Sequence, residues 1–202
     1  MNTINKLLRK FYNFYSQLKL KNKSFTLIAS NCNGGVILSD LNLPFNSPFI
    51  NLWLPPQDFL MFCDNMPYYL NQKLRFTKEK DIDYPVAMLD DVKIYFQHYR
   101  NEEEAAYFWN KRKHRIDMNH VFILFTDRDG CTYDDLQHFE RLNYKHKAVL
   151  VNKQYPELKS SVYIPGFEQE KCVGMCMEYM SRFTYKRYLD AFDYVSWFNS
   201  DI

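Results

Sequence analysis

No acidic residue precedes Asp40 in this chain of 202 residues, whereas Lys6, Arg9, Lys10, Lys19, Lys21 and Lys23 all fall in that stretch. No uninterrupted apolar run approaches the roughly 18–20 residues of a membrane-spanning helix. Nor is a secretory leader expected, because Arg9 and Lys10 interrupt the early apolar residues and no small-residue cleavage site follows. These absences predict a cytoplasmic protein. Net charge is only +2, which supplies no global field for nucleic acid. The five cysteines, at 32, 63, 131, 172 and 176, are an odd and widely spaced set. Cys172 and Cys176 lack a matching second pair, so reduced thiols are expected and no metal site.

The apolar fraction of 47% and charged fraction of 25% are those of an ordinary globular protein. Its length suits one domain. Aromatics reach 18%, with 17 Phe and 16 Tyr; such rings suit sugars and bases as well as a core. In residues 1–23, Ile4, Leu7, Leu8, Phe11, Tyr12, Tyr15 and Leu18 recur at helical spacing among the basic residues. This predicts a basic amphipathic helix with two possible placements. It packs on the domain with its lysines in solvent, or it lies on the anionic inner face of a membrane.

Residues 24–202 read as a single α/β domain without linker, repeat or low-complexity segment. Apolar runs at 24–29 (SFTLIA), 49–54 (FINLWL), 120–126 (HVFILFT), 147–151 and 161–164 predict strands. PVAML and VKIYFQH, flanking Asp90-Asp91, predict a hairpin or bent strand. A helix is expected at 57–65, broken by Pro67 and resuming to about Leu74. Asn101 caps a helix with acids first and bases last, and Thr132 with Asp135 forms a T-x-x-D cap for the next. From about Met175 the chain is expected to be helical and aromatic. Alternating strands and helices indicate a three-layer sandwich, its sheet largely parallel and helices on both faces.

Ligands of such sheets sit beyond the carboxyl ends of the strands. Three loops are expected there: SNCNGG, HYRNEEE and TDRDGC. The first lacks both the G-x-G-x-x-G spacing of a dinucleotide loop and the lysine of a P-loop. Its Gly34 and Gly35 still permit close backbone approach to an oxyanion or phosphate. Cys32 is either a nucleophile of lowered pKa or a small residue filling a turn. As nucleophile it needs a base, for which His98 is the first candidate and His146 the second. Asp127 and Asp129 form an Asp-x-Asp directly after a buried strand, which suits a divalent metal and nucleotide sugar, or ordinary turn chemistry. Arg112 and Arg115 share a helix face with Glu104 and suit a phosphate or carboxylate, or pair within the helix.

The stretches SNCNGG, SPFINLW, YPVAMLDDVKIYFQHY, EEEAAYFWNKRKHRI and FTDRDGCT, in this order between about Phe25 and Lys147, resemble a bacterial family classed as a domain of unknown function. Its members are commonly labelled exopolysaccharide biosynthesis proteins, some of them acetyltransferases. The resemblance implies an α/β sandwich and a setting in capsule or exopolysaccharide synthesis, with a sugar or polysaccharide precursor as partner. Positions matching the family pattern are Asn31, Cys32, Gly34, Gly35, Ser47, Pro48, His98, Tyr99, Glu104, Trp109, Arg112, Arg115, Asp129 and Cys131. The expected chemistry is acyl transfer to a sugar, with acetyl-CoA as donor. Cys32, His98 and Asp129 are the candidate catalytic residues. Asn31, Gly34, Gly35, Tyr99, Glu104, Trp109, Arg112 and Arg115 are the candidate substrate-binding residues. The alternatives are a nucleotide-sugar glycosyltransferase and a non-catalytic module docking on polysaccharide machinery.

Overall fold

The computed structural model describes residues 3–201; Met1, Asn2 and Ile202, the ends of the two predicted segments, lie outside them. The central sheet is parallel, in the order β1 (Thr26–Ala29), β5 (Val121–Thr126), β6 (His146–Val151) and β7 (Ser161–Tyr163). A second, antiparallel sheet of β2 (Leu74–Thr77), β3 (Val86–Leu89) and β4 (Val92–Tyr95) stands apart from it. The expected hairpin is β3–β4, and its two-residue turn works because Asp90 takes φ 60°, which Asp adopts more readily than most residues.

Alternation along β5 explains the layers. Val121, Ile123 and Phe125 face a core built with α3 (Pro56–Asp64), α4 (Met66–Asn71), α5 (Glu102–Lys113), α6 (Tyr133–Arg141) and the antiparallel sheet. Phe122 and Leu124 face the opposite core, with α2 (Asn33–Asp40) and α7 (Tyr194–Asn199). The capping signals hold: Asn101 Oδ1 accepts the Glu104 N–H, and Thr132 and Asp135 bond reciprocally. Gly34 allows α2 to lie tightly on β1, since a Cβ there would meet the Ala29 Cβ at 2.6 Å.

Several elements differ from the sequence reading. FINLWL is not a strand; only Trp53 pairs, with Tyr95. Asn51 has φ 61° and the Tyr99 hydroxyl holds the Ile50 carbonyl, so the segment cannot run flat against a neighbour. Pro67 does not break a helix but sits in the first turn of α4, where its missing N–H costs nothing. Leu74 begins β2 rather than ending a helix. The C-terminal region is mostly irregular, with a 3₁₀ turn at Tyr188–Ala191 before the short α7. It is anchored by ring contacts such as Phe167–Tyr188 and Phe192–Trp197.

The N-terminal helix α1 (Thr3–Lys19) is present, but it docks by its polar face. Arg9 lies between Asp40 and Asp190 at 2.5 and 2.6 Å, and Arg187 joins Asp40 at 2.7 Å. Asn13 donates to Asp40 and Gln17 to the Asp40 carbonyl. Burial works against the Arg9 charge, yet Asp40 and Asp190 outweigh it and hold its pKa above the ordinary arginine value. The apolar stripe therefore faces solvent, where either sequence-based placement had it covered. Replacing Asp40 by Ala removes the buried carboxylate that Arg9 and Arg187 share, leaving Arg9 with Asp190 alone. Removing one member of a buried ion pair costs roughly 3–5 kcal/mol. Asp40→Ala should therefore lower the denaturant midpoint markedly and expose α1 to trypsin.

Candidate functional site

Two adjoining depressions open at the carboxyl ends of β1 and β5. One, of about 380 Å³, is lined by Asn31, Cys32, Trp53, His98, Arg128 and Asp129 among others. The other shares Cys32, His98 and Met177 with it and adds Gly35, Phe45 and Asn51. A larger hollow, of about 600 Å³, lies beside the antiparallel sheet around Lys78, Glu79 and Arg100. None of the candidate catalytic residues lines it, so the strand-end cleft is the better candidate.

The parallel pairing of β1 with β5 builds this cleft. Beyond the last paired residues, the Asn31 amide donates to the Thr126 hydroxyl at 3.0 Å and its carbonyl receives the Asn33 N–H. That turn presents Cys32 immediately before α2. The N–H groups of Gly34 and Gly35, in the first turn of α2, have no hydrogen-bond partner among the described residues, as expected at a helix start. His98 arrives from a different direction. It follows β4, which belongs to the antiparallel sheet, and its N–H reaches the Asn51 carbonyl at 3.3 Å. The HYRNEEE loop thus reaches the cleft without lying on the parallel sheet. Asn51 and Asp129, both on the cleft wall, have left-handed φ values of 61° and 58°, a conformation Asn and Asp tolerate.

The Asp-x-Asp splits by environment. Asp127 is buried, and its two carboxylate oxygens accept the Asn152 and Val173 N–H groups at 2.9 and 2.8 Å. Burial pushes its carboxyl up, against those two bonds. Asp129 is exposed in the cleft. The pair does not converge as metal ligands, and no group of three or more His, Cys, Asp or Glu suited to a metal occurs among the described residues. Asp127 instead ties the segment around Val173 over the strand end, which brings Met175 and Met177 to the cleft wall.

Arg128, between the two aspartates, is the cleft cation that sequence reasoning passed over. It donates to the Gly174 carbonyl and contacts the Met175 sulfur. No carboxylate lies within ion-pair distance of it among the described residues. Trp53 was also missed; it stacks on Tyr95 at 4.2 Å and 7°, forming a flat aromatic wall. Its signal was its place in an apolar run read as a strand. Tyr84 and Gln97 complete the rim.

The remaining predicted binding residues lie behind or away from the cleft. The buried Arg112 donates to the Tyr99 hydroxyl at 2.7 Å and stacks on Phe45 and Phe108. Phe45 lines the cleft, so Arg112 and Tyr99 support its wall from inside. Trp109 is a core residue packed on Phe49 and Phe96. Glu104 pairs with Arg100 on the surface rather than with Arg112, and Arg115 donates to the Phe45 carbonyl. Ser47 is buried, its hydroxyl bonded to the Leu27 carbonyl. His146 stacks on Phe122 and bonds Asp201 at the amino end of β6, away from the cleft.

The architecture is that of an α/β sandwich with a strand-end cleft. The chain belongs to the family described as Domain of unknown function (DUF1919), which matches residues 3–199. The match therefore includes α1 and the C-terminal segment, beyond the span of the motifs quoted above. An uncharacterized protein of Haemophilus influenzae is 46% identical over 196 residues, covering 97% of this chain and 94% of that protein.

The Cys32 thiol is half-buried at the turn before α2. Burial raises its pKa, and the nearby Arg128 only partly opposes this. Since the thiolate is the reactive form, iodoacetamide should alkylate Cys32 more slowly than free cysteine at the same mildly alkaline pH. Peptide mapping by mass spectrometry measures this; faster labelling would show an activated thiolate.

Proposed function

We propose that this protein is an acyltransferase of surface-polysaccharide synthesis, with His98 as general base and a sugar bearing an anionic group as acceptor. The observation that carries this reading is the lining of a single cleft. It combines an exposed imidazole, a flat Trp53 face, amide side chains and an arginine with no carboxylate partner. Aromatic faces and amides suit a sugar ring. Arg128 and the free N–H groups opening α2 suit a phosphate or carboxylate. The polysaccharide setting comes from the family resemblance.

In this scheme His98 takes the proton from an acceptor hydroxyl as its oxygen attacks the thioester carbonyl of acetyl-CoA. The new C–O bond forms, the C–S bond breaks, and His98 returns the proton to the departing sulfur. The N–H groups of Gly34 and Gly35 are the donors available to the developing oxyanion. The lining residues fit the acetyl end of the donor. With Arg128 as the sole Lys or Arg among them, they do not form a second anion site for the donor's own phosphates. The raised Cys32 pKa favours direct transfer over an acyl-cysteine intermediate.

The test is acetyl transfer to acidic and phosphorylated sugars by purified variants. His98→Gln should lower kcat by roughly 10²–10⁴, the usual contribution of a general base. Cys32→Ala should retain turnover within about tenfold, because the thiol only fills the turn. Loss of all activity in Cys32→Ala with acyl trapping in the parent would favour covalent catalysis. Sugar binding without turnover would instead favour a binding module.

A further inference from the structure

We infer that α1 is a docking surface for anionic membranes, held apolar side outward by the buried ion network beneath it. Ile4, Leu7, Leu8, Phe11, Phe14 and Leu18 form one stripe and are 41–67% exposed. Helical periodicity alone would predict that such a stripe packs on the core. Here Asn5, Arg9 and Ser16 occupy the buried face instead. Asn5 reaches the Arg182 carbonyl, and the neighbouring Phe183 is itself exposed. The Arg182 guanidinium lies 4.6 Å from the Phe183 ring centroid.

Charge complementarity identifies the occupant. Lys6, Lys10 and Lys19 are exposed on α1 and Lys21 and Lys23 just beyond its end, and no acid occurs before Asp40. A helix with an outer apolar face and a basic border fits the boundary between lipid headgroups and acyl chains. Lysines there snorkel toward anionic headgroups, and the Lys19 ammonium already sits 4.4 Å from the Tyr15 ring. A second copy of this chain would place two lysine-only borders against each other. At 17 residues the helix is about 25 Å long. No helix among the described residues is long and apolar enough to cross a membrane, so the contact is peripheral. This surface does not depend on the chemistry of the cleft.

Co-sedimentation of the full chain with vesicles tests the inference. Binding is expected to phosphatidylethanolamine–phosphatidylglycerol vesicles, to weaken with salt, and to fall sharply on phosphatidylcholine alone. Phe11→Asp and Leu7→Asp, both at exposed positions, should each weaken binding about tenfold or more while leaving the thermal midpoint unchanged. Lys6→Glu with Lys10→Glu should abolish the preference for phosphatidylglycerol. Absence of vesicle binding by the folded parent would overturn the inference. So would unchanged binding in the aspartate variants, or self-association of the parent lost in those same variants.

Discussion

The parallel pairing of β1 with β5 is the constraint on which the candidate site depends. It joins Thr26–Ala29 to Val121–Leu124, across an insertion that contains the antiparallel sheet and four helices. Its last step is made by side chains, through Asn31 and Thr126. That contact sets the turn at Cys32 beside the loop carrying Arg128 and Asp129. The insertion returns His98 to the same place through the Asn51 carbonyl. A cleft assembled from three distant stretches is thus fixed by strand register and two hydrogen bonds at its rim.

Buried carboxylates do for the irregular segments what ladders do for the strands. Asp127 accepts backbone N–H groups from Asn152 and Val173, while Asp40 gathers Arg9, Arg187 and Asn13. Asp127 ties together irregular segments remote in sequence, whereas Asp40 ties helix α1 to the segment that opens the 3₁₀ turn. A carboxylate can accept several donors at once, so one residue replaces a whole turn of helix or a strand pair. The cost of burying the charge is offset only while all partners are in place. Such residues therefore position the site without touching its contents.

The strands β1, β5 and β6 were legible because continuous apolar runs leave little else for a buried strand to be. The caps at Asn101 and Thr132 were legible because their chemistry is local. Phe49–Leu54 was misread because its apolar residues fill a core from an irregular chain, and pattern alone does not distinguish the two. The two readings of the Asp-x-Asp stayed open for a related reason. Sequence shows that two carboxylates are neighbours but not that one turns inward. Cys32, His98, Asp129, Asn31 and Gly35 could be placed from their loops, whereas Trp53 and Arg128 needed the tertiary structure. For α1, the amphipathic period was clear and the direction of docking was not. That direction was decided by Arg9, which finds two aspartates more than 30 residues away.

The arginines show why residue type alone does not mark a site. Arg9 is neutralised by Asp40 and Asp190, and Arg100 by Glu104. Arg112 has no such ion pair, but the Tyr99 hydroxyl and two phenyl rings enclose it. Arg128 alone among these four combines a place on the cleft wall with only a carbonyl and a thioether for company. Its charge is felt by the half-buried Cys32 and the buried Asp127, each of which burial drives toward neutrality. An anion in the cleft would supply what the protein does not. On α1 the buried Arg9 charge is satisfied inward, and an apolar stripe with exposed lysines remains outward.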